Sequence, residues 1–173
     1  QDPGFALAHH SLAEAYWHLG FFGLVVPKEA FSLGVWSALR ALEIDDKLAE
    51  AHAVLGQFRK ELDFNWPEVH REMRRAVELA PWSPTARLAY GISGMMPLGR
   101  IQEAIAEIES ALESDPLSPN LHFWLAYMFL LGRQYERGLQ EALLVVEHTP
   151  TYWLAHMTIG HIYGAMKLFD QAL

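Results

Sequence analysis

The side chains in this sequence best equipped for chemistry are its nine histidines, set among twenty-one acidic and thirteen basic residues. Histidine titrates near neutral pH and ligates metals, so nine of them raise the prospect of a metal centre or of general acid–base catalysis. Their spacing argues against both. Zinc ligands must sit about 2 Å from one ion, and a helical zinc pair uses the i, i+4 step. His156 and His161 are five apart, and His9 and His10 are adjacent and project to different faces. His18 stands four residues from Glu14, a pair that reads as a solvated or weakly ionic contact. No cysteine is present, which removes disulfides, thiol nucleophiles and every Cys-ligated metal or iron–sulfur site. No nucleophile elbow, glycine-rich phosphate loop or zinc-protease motif occurs. The expectation is a chain with no metal, no cofactor and no catalysis of its own.

Charge narrows the partners. A net charge of −8 repels nucleic acid and anionic membrane surfaces alike. The one basic cluster, Arg71, Arg74 and Arg75, shares a helical face with Glu68, Glu72 and Glu78 close by, which reads as a solvated outer face rather than an acidic-partner patch. At 51% hydrophobic and 20% charged residues, the chain can offset its conformational entropy and fold. Its longest strongly apolar run, residues 123 to 131, is about half of a membrane span. With no basic, apolar leader at the start, the expected location is the cytoplasm.

The elements that position these residues follow from punctuation. Asp2-Pro3, Asp45-Asp46, Ala80-Pro81, Asp115-Pro116 and Thr149-Pro150 each close an Ala/Leu/Glu-rich stretch, and their second residues lie 43, 35, 35 and 34 apart. A period near 34 that ends on proline is the mark of a helix-turn-helix array. Between the stops, apolar residues recur at steps of three and four, so the elements are helices. The expected pairs are 5–19 with 28–44, 48–61 with 66–79, 84–96 with 101–114, 119–131 with 135–147, and 152–166 with a helix from 168 onward. Ser83 and Ser118 read as N-caps, each followed by proline in the first helical turn, and Pro97 is expected to end its helix at Met96.

At this level the sequence resembles the tetratricopeptide repeat (TPR) family. The last repeat carries His156, Ile159-Gly160 and Tyr163, then Phe169 and Ala172; the first carries His9, Leu12-Ala13, Tyr16 and Gly20; the fourth carries His122, Leu125-Ala126, Phe129, Tyr135, Gly138 and Pro150. The third fits at Gly91, Gly99, Ala104, Ala111 and Pro116, with Arg87 and Gly94 in place of bulky residues. The second departs at Arg59 but keeps Leu55-Gly56, Trp66, Ala76 and Pro81. The resemblance covers essentially the whole chain. It implies an all-α, right-handed helical-hairpin solenoid of about five repeats, at 4–46, 47–81, 82–116, 117–150 and an incomplete 151–173. It also implies a protein-interaction scaffold.

In such packing Gly56, Gly91, Ala126 and Gly160 let helices approach, while Leu12, Leu55 and Leu125 fill the space between. His9, His52, His122 and His156 occupy one slot seen four times. Successive copies are roughly 10 Å apart for packed helices, so a repeated packing and hydrogen-bonding role suits them better than shared ligation.

Helix geometry places a candidate groove. If each first helix turns its Leu/Gly/Tyr stripe inward, the stripe rotated by roughly 80 to 180 degrees lines the concave side. Its first half is polar: His10, Glu14, Trp17 and His18, with Glu50, Gln57, Lys60 and Glu61. Its second half is apolar: Leu88, Ile92, Met95, Met96, Phe123, Tyr127, Leu130, Leu131, Leu154 and Met157, closing on His161. Such a surface suits an amphipathic helix or extended peptide, or else packs on itself across a tight superhelix. TPR domains that clamp a terminal carboxylate use lysine, asparagine and arginine where this chain has His10, Glu14, Thr85 and Ala89, so that ligand is not expected.

The first repeat is nine residues too long. Part of the excess is the apolar stretch 21–26, expected to fold back on the stack as a cap, or else to dock an upstream domain or partner. Asp2-Pro3 looks like the end of an earlier repeat, and Gln171-Ala172-Leu173 stops one turn into a helix. The expectation is therefore a piece of a longer protein whose uncapped ends could self-associate. Residues 3–8 and 27–31 are similar to arrays in multidomain bacterial signalling proteins. That similarity implies, as an alternative role, a sensor segment controlling a linked kinase, cyclase or DNA-binding domain.

Overall fold

In a computed structural model that describes residues 3–168, the chain forms nine α-helices: α1 (Pro3–Phe21), α2 (Pro27–Ile44), α3 (Ala49–Asp63), α4 (Trp66–Leu79), α5 (Pro84–Ala89), α6 (Ile101–Ser114), α7 (Pro119–Leu131), α8 (Tyr135–His148) and α9 (Trp153–Ala165). No strand occurs among the described residues. Helices consecutive in sequence pack in pairs, and each second helix packs on the first helix of the next pair. The helix expected from 168 onward, with Phe169 and Ala172, lies outside the described residues.

The period is visible in the backbone. The N–H groups of Asp45, Ala80, Asp115 and Thr149 donate to the carbonyls of Ala41, Ala76, Ala111 and Val145, closing a second helix. Three residues on, Leu48, Ser83, Ser118 and Tyr152 donate back to Asp45, Ala80, Asp115 and Thr149. One turn is thus built four times. Of the two expected serine caps, Ser83 Oγ accepts from the Ala86 N–H at 3.3 Å, whereas Ser118 makes no side-chain capping bond.

The first helix of the third hairpin is not α-helical to Met96. The α-helix ends at Ala89, a π-helical stretch runs from Tyr90 to Met95, and a 3₁₀ turn holds Met96–Leu98, with Pro97 inside it. Arg87 stands fourteen residues before α6, whereas His122, in the equivalent position, stands thirteen before α8. His52 also stands fourteen residues before α4 although α3 is α-helical throughout, so this spacing does not by itself demand the π stretch. Gly99, at φ 72°, then reverses the chain.

The largest core cluster joins α4 to α7 around the fully buried Val69, Met73, Ile108, Met128 and Phe129. Leu55 and Leu125 are buried as knobs, and Gly56, Gly91 and Ala126 are buried at crossings, as their positions require. Leu12 is not a knob. It is 41% exposed, because the stripe of α1 that meets other helices is Ala6, His10, Ala13 and Gly20. The apolar stretch 21–26 is not a cap either: Phe22 is 66% and Leu24 73% exposed, and Phe21, Val25 and Val26 are exposed as well. Phe21 stacks on Trp17 of its own helix, ring centroids 4.7 Å apart, and Phe22 lies over His18. Local aromatic stacking within the helix end holds these rings where burial against the stack does not.

Candidate functional site: a groove along the first helices

The first helices α1, α3 and α5 lie side by side, as do α7 and α9. Between α1, α3 and α5 they leave a recess of about 60 Å³. Four alanines, Ala49, Ala53, Ala86 and Ala89, line it together with Val54, and His10, Glu14, Glu50, Gln57, Ser83 and Thr85 supply its polar groups. The alanines recur at steps of three or four along α3 and α5, a weak signal in the sequence because small side chains add little to a hydrophobic pattern.

His10 is 8% exposed, with Nε2 3.5 Å from a Glu14 carboxylate oxygen and Nδ1 without a hydrogen-bond partner among the described residues. His18 does not meet the Glu14 carboxylate. Its Nδ1–H donates to the Glu14 backbone carbonyl at 2.8 Å, which leaves that carboxylate to His10. Trp17 packs against the cluster around Phe31 and Phe58. Lys60, farther along α3, is held by Glu61 at 3.1 Å.

The apolar half is narrower than the sequence suggested. Leu88 and Met95 belong to the central core, and Phe123 is packed against Val145 and Ala155, with the Tyr152 ring 5.7 Å away. All three are largely covered by neighbouring helices, although Leu88 also lines a small pocket with Thr85 and Leu121. Ile92, Met96, Tyr127, Leu130 and Leu154 are half-buried, and Leu131, Met157 and His161 are exposed. Both sequence alternatives therefore hold in part: some of the apolar stripe packs on itself and the rest remains open.

The histidine slot is a clasp. His52 Nε2–H donates to the Asp46 carbonyl at 3.1 Å while Nδ1 faces Glu72 at 2.7 Å, and His122 repeats this with the Pro116 carbonyl at 3.0 Å and Glu141 at 2.6 Å. Arg87 fills the same slot in the third hairpin, with Nε donating to the Pro81 carbonyl at 2.6 Å and Nη1 to Glu107 at 2.7 Å. His156 makes the carbonyl bond, to Pro150 at 2.8 Å, and His9 instead meets the edge of Trp36. Each clasp ties a turn to its hairpin's second helix. Burial pushes the Glu72 carboxyl up, but hydrogen bonds from His52 and Arg71 more than reverse this and hold it below the usual carboxylate range.

On α4, Arg71 pairs with Glu68 and Glu72, Arg74 with Glu78 at 2.9 Å, and Arg75 with Glu78 at 3.7 Å. A cavity of about 420 Å³ opens there, but carboxylates already engage its arginines. Among the described residues no three His, Asp or Glu side chains converge as metal ligands, and no helix is long and apolar enough to cross a membrane.

Paired helices, a repeated proline-ended turn and side-by-side first helices define an all-α helical-hairpin solenoid of the TPR type. No family model matches the sequence, and no curated protein does. Among solved structures the chain is similar to MamA, with a TM-score of 0.69 at 18% identity over 84% of each chain. It is also similar to PilW, a widely conserved type IV pilus biogenesis factor, at TM-score 0.77 and 17% identity over 92% of this chain and 72% of that one. A third likeness is to YrrB, a TPR protein with an unusual peptide-binding site, at TM-score 0.65 and 16% identity over 91% and 79%. At these identities the likeness is one of fold.

Proposed function

We propose that the chain is a non-catalytic protein-interaction scaffold that holds a partner's peptide or amphipathic helix along the groove of its first helices. The observation that carries this reading is the recess shared by α1, α3 and α5, with a small-residue floor that lets a ligand backbone come close. Farther along, Leu131 and Met157 leave apolar surface open for anchoring side chains. The peptide-binding site named for YrrB, a solenoid of similar fold, supports the same use of this one.

The test is selection of peptides from a displayed random library, followed by affinity measurement on Leu131→Glu and Met157→Glu variants. Binders are expected to weaken at least about tenfold on one or both, with thermal midpoints near wild type. Binders that ignore both changes but respond to Glu136→Lys on the second helix α8 would place the interaction surface elsewhere.

A further inference from the structure

We infer that the outer face of α2 is a two-fold interface for a second copy of this chain, with the two α2 helices antiparallel across Trp36. The N–H groups of Asp45, Ala80, Asp115 and Thr149 close the four second helices and so fix a common register. Counted back from those residues, Leu33, Trp36 and Leu39 share their places with Glu68, Arg71 and Arg74 on α4 and with Glu103, Ala106 and Glu109 on α6. On α8 the same places hold Arg137, Gln140 and Leu143. They point outward even where the stack continues on both sides, since Arg71 and Arg74 remain exposed with hairpins packed before and after α4. Ordinary stacking therefore leaves this stripe wet, and charged or amide side chains fill most of it elsewhere. On α2 all three residues are apolar and exposed, Trp36 to 56%. The Trp36 ring meets His9 edge-on, centroids 6.0 Å apart. Phe5 and Leu12, both exposed and about one helical turn to either side of His9, carry the apolar surface onto α1.

The stripe is self-complementary. In a two-fold contact one surface meets itself, so residues equally far before and after the axis come level with each other. With the axis at Trp36, Leu33 of one copy stands level with Leu39 of the other, on both sides of the paired tryptophans. At the ends, the same register sets Glu29 of one copy beside the Arg40–Glu43 pair of the other, within reach of that guanidinium. The centre of the stripe carries no charge to oppose a second chain of net charge −8 at short range. The open parts of Phe5, Leu12, Leu33, Trp36 and Leu39 supply on the order of 400 Å² of apolar surface per copy. That is about half of the ~800 Å² a stable dimer buries on each partner, and a polar rim makes up the usual remainder. A tryptophan at the centre of such a face is a common anchor of binding energy.

Sedimentation equilibrium of the chain itself, over about 5–500 μM, should show monomer and dimer and no larger species. Trp36→Arg, and separately Leu33→Glu/Leu39→Arg, give α2 the residue types that α4 carries at these places. Each should raise the dimer dissociation constant at least about tenfold while melting near wild type in dilute solution, since side chains this exposed have little burial to lose. The register is read by air oxidation of an equimolar mixture of Ser32→Cys and Arg40→Cys chains. The sequence has no cysteine, so every disulfide joins introduced thiols, and the mixed 32–40 link should exceed its statistical share. The antiparallel register holds the 32–32 and 40–40 pairs about 12 Å apart along the helix axis, beyond the reach of a disulfide. The inference is overturned if the chain stays monomeric throughout, if the dimer withstands both sets of changes on α2, or if the self-links prevail.

Discussion

His52 and His122 each turn both ring nitrogens toward acceptors, one a turn carbonyl and the other a carboxylate, so the ring satisfies both when it carries two protons. Arg87 makes the same two bonds with a side chain that is always a double donor, which explains how arginine fits a slot otherwise filled by histidine. The recurrence of that slot was legible because its spacing follows the turn period. Its carboxylate partners, nineteen or twenty residues away on another helix, were not, since helical periodicity relates only positions on one helix. Glu72 gives this clasp a measurable pH dependence. Its folded-state carboxyl titrates lower than the unfolded one, so the clasp contributes stability above the ordinary glutamate value, near pH 4.3, and loses it as pH falls through the lower folded value. Glu72→Gln should therefore destabilise at pH 7 by about 1–3 kcal/mol. The gap from wild type should shrink through the acid limb of a thermal-midpoint series from about pH 7 to 2.5. A gap of constant size over that series would show that Glu72 acts through shape alone.

Helix ends were readable because proline, or an Asp pair at 45–46, interrupts the pattern at intervals near 35 residues after the longer first repeat. The π-helical stretch at Tyr90–Met95 was not, since apolar steps of three and four look alike whether or not one turn holds an extra residue. Hydrophobic spacing likewise marks a stripe without saying whether a neighbour covers it, and so Leu12 stands exposed while Ala6 and Ala13 are buried. Helix approach itself depends on residues too small to register in such a pattern. At Gly34 on α2, a Cβ would overlap the ring of Phe58 on α3, and that ring is fully buried with no room to retreat. At Gly56 a Cβ would meet the flexible thioether end of Met73 at 2.9 Å. Gly34→Ala should therefore cost about 1–3 kcal/mol by overpacking. Gly56→Ala should cost less, because a methionine side chain can shift and Ala favours a helix over Gly. Urea midpoints rank the two, and equal values would mean that Phe58 yields as readily as Met73.

Across the molecule, sequence hydropathy located the apolar surface but could not divide it into packed and open parts. Leu88, Met95 and Phe123 fell to the packed side, and the 21–26 stretch fell to the open side. The recess at the polar end shows the complementary limit, since its floor is made of alanines that contribute shape and little pattern. For the 21–26 stretch the two possibilities differ sharply in energy. Were Phe22 and Leu24 buried as a cap, replacing both with serine would remove about 1.5–3 kcal/mol of transfer free energy from each. Exposed as they are, they have little burial to lose, and surface substitutions of this kind usually stay within about 0.5 kcal/mol. Phe22→Ser/Leu24→Ser should accordingly melt with wild type while scattering less light at high concentration, because a contiguous apolar surface promotes association. A fall of several degrees in the midpoint would restore the cap. An unchanged midpoint with weaker self-association would identify the stretch as contact surface held out from the stack by the ring pairs Trp17–Phe21 and His18–Phe22.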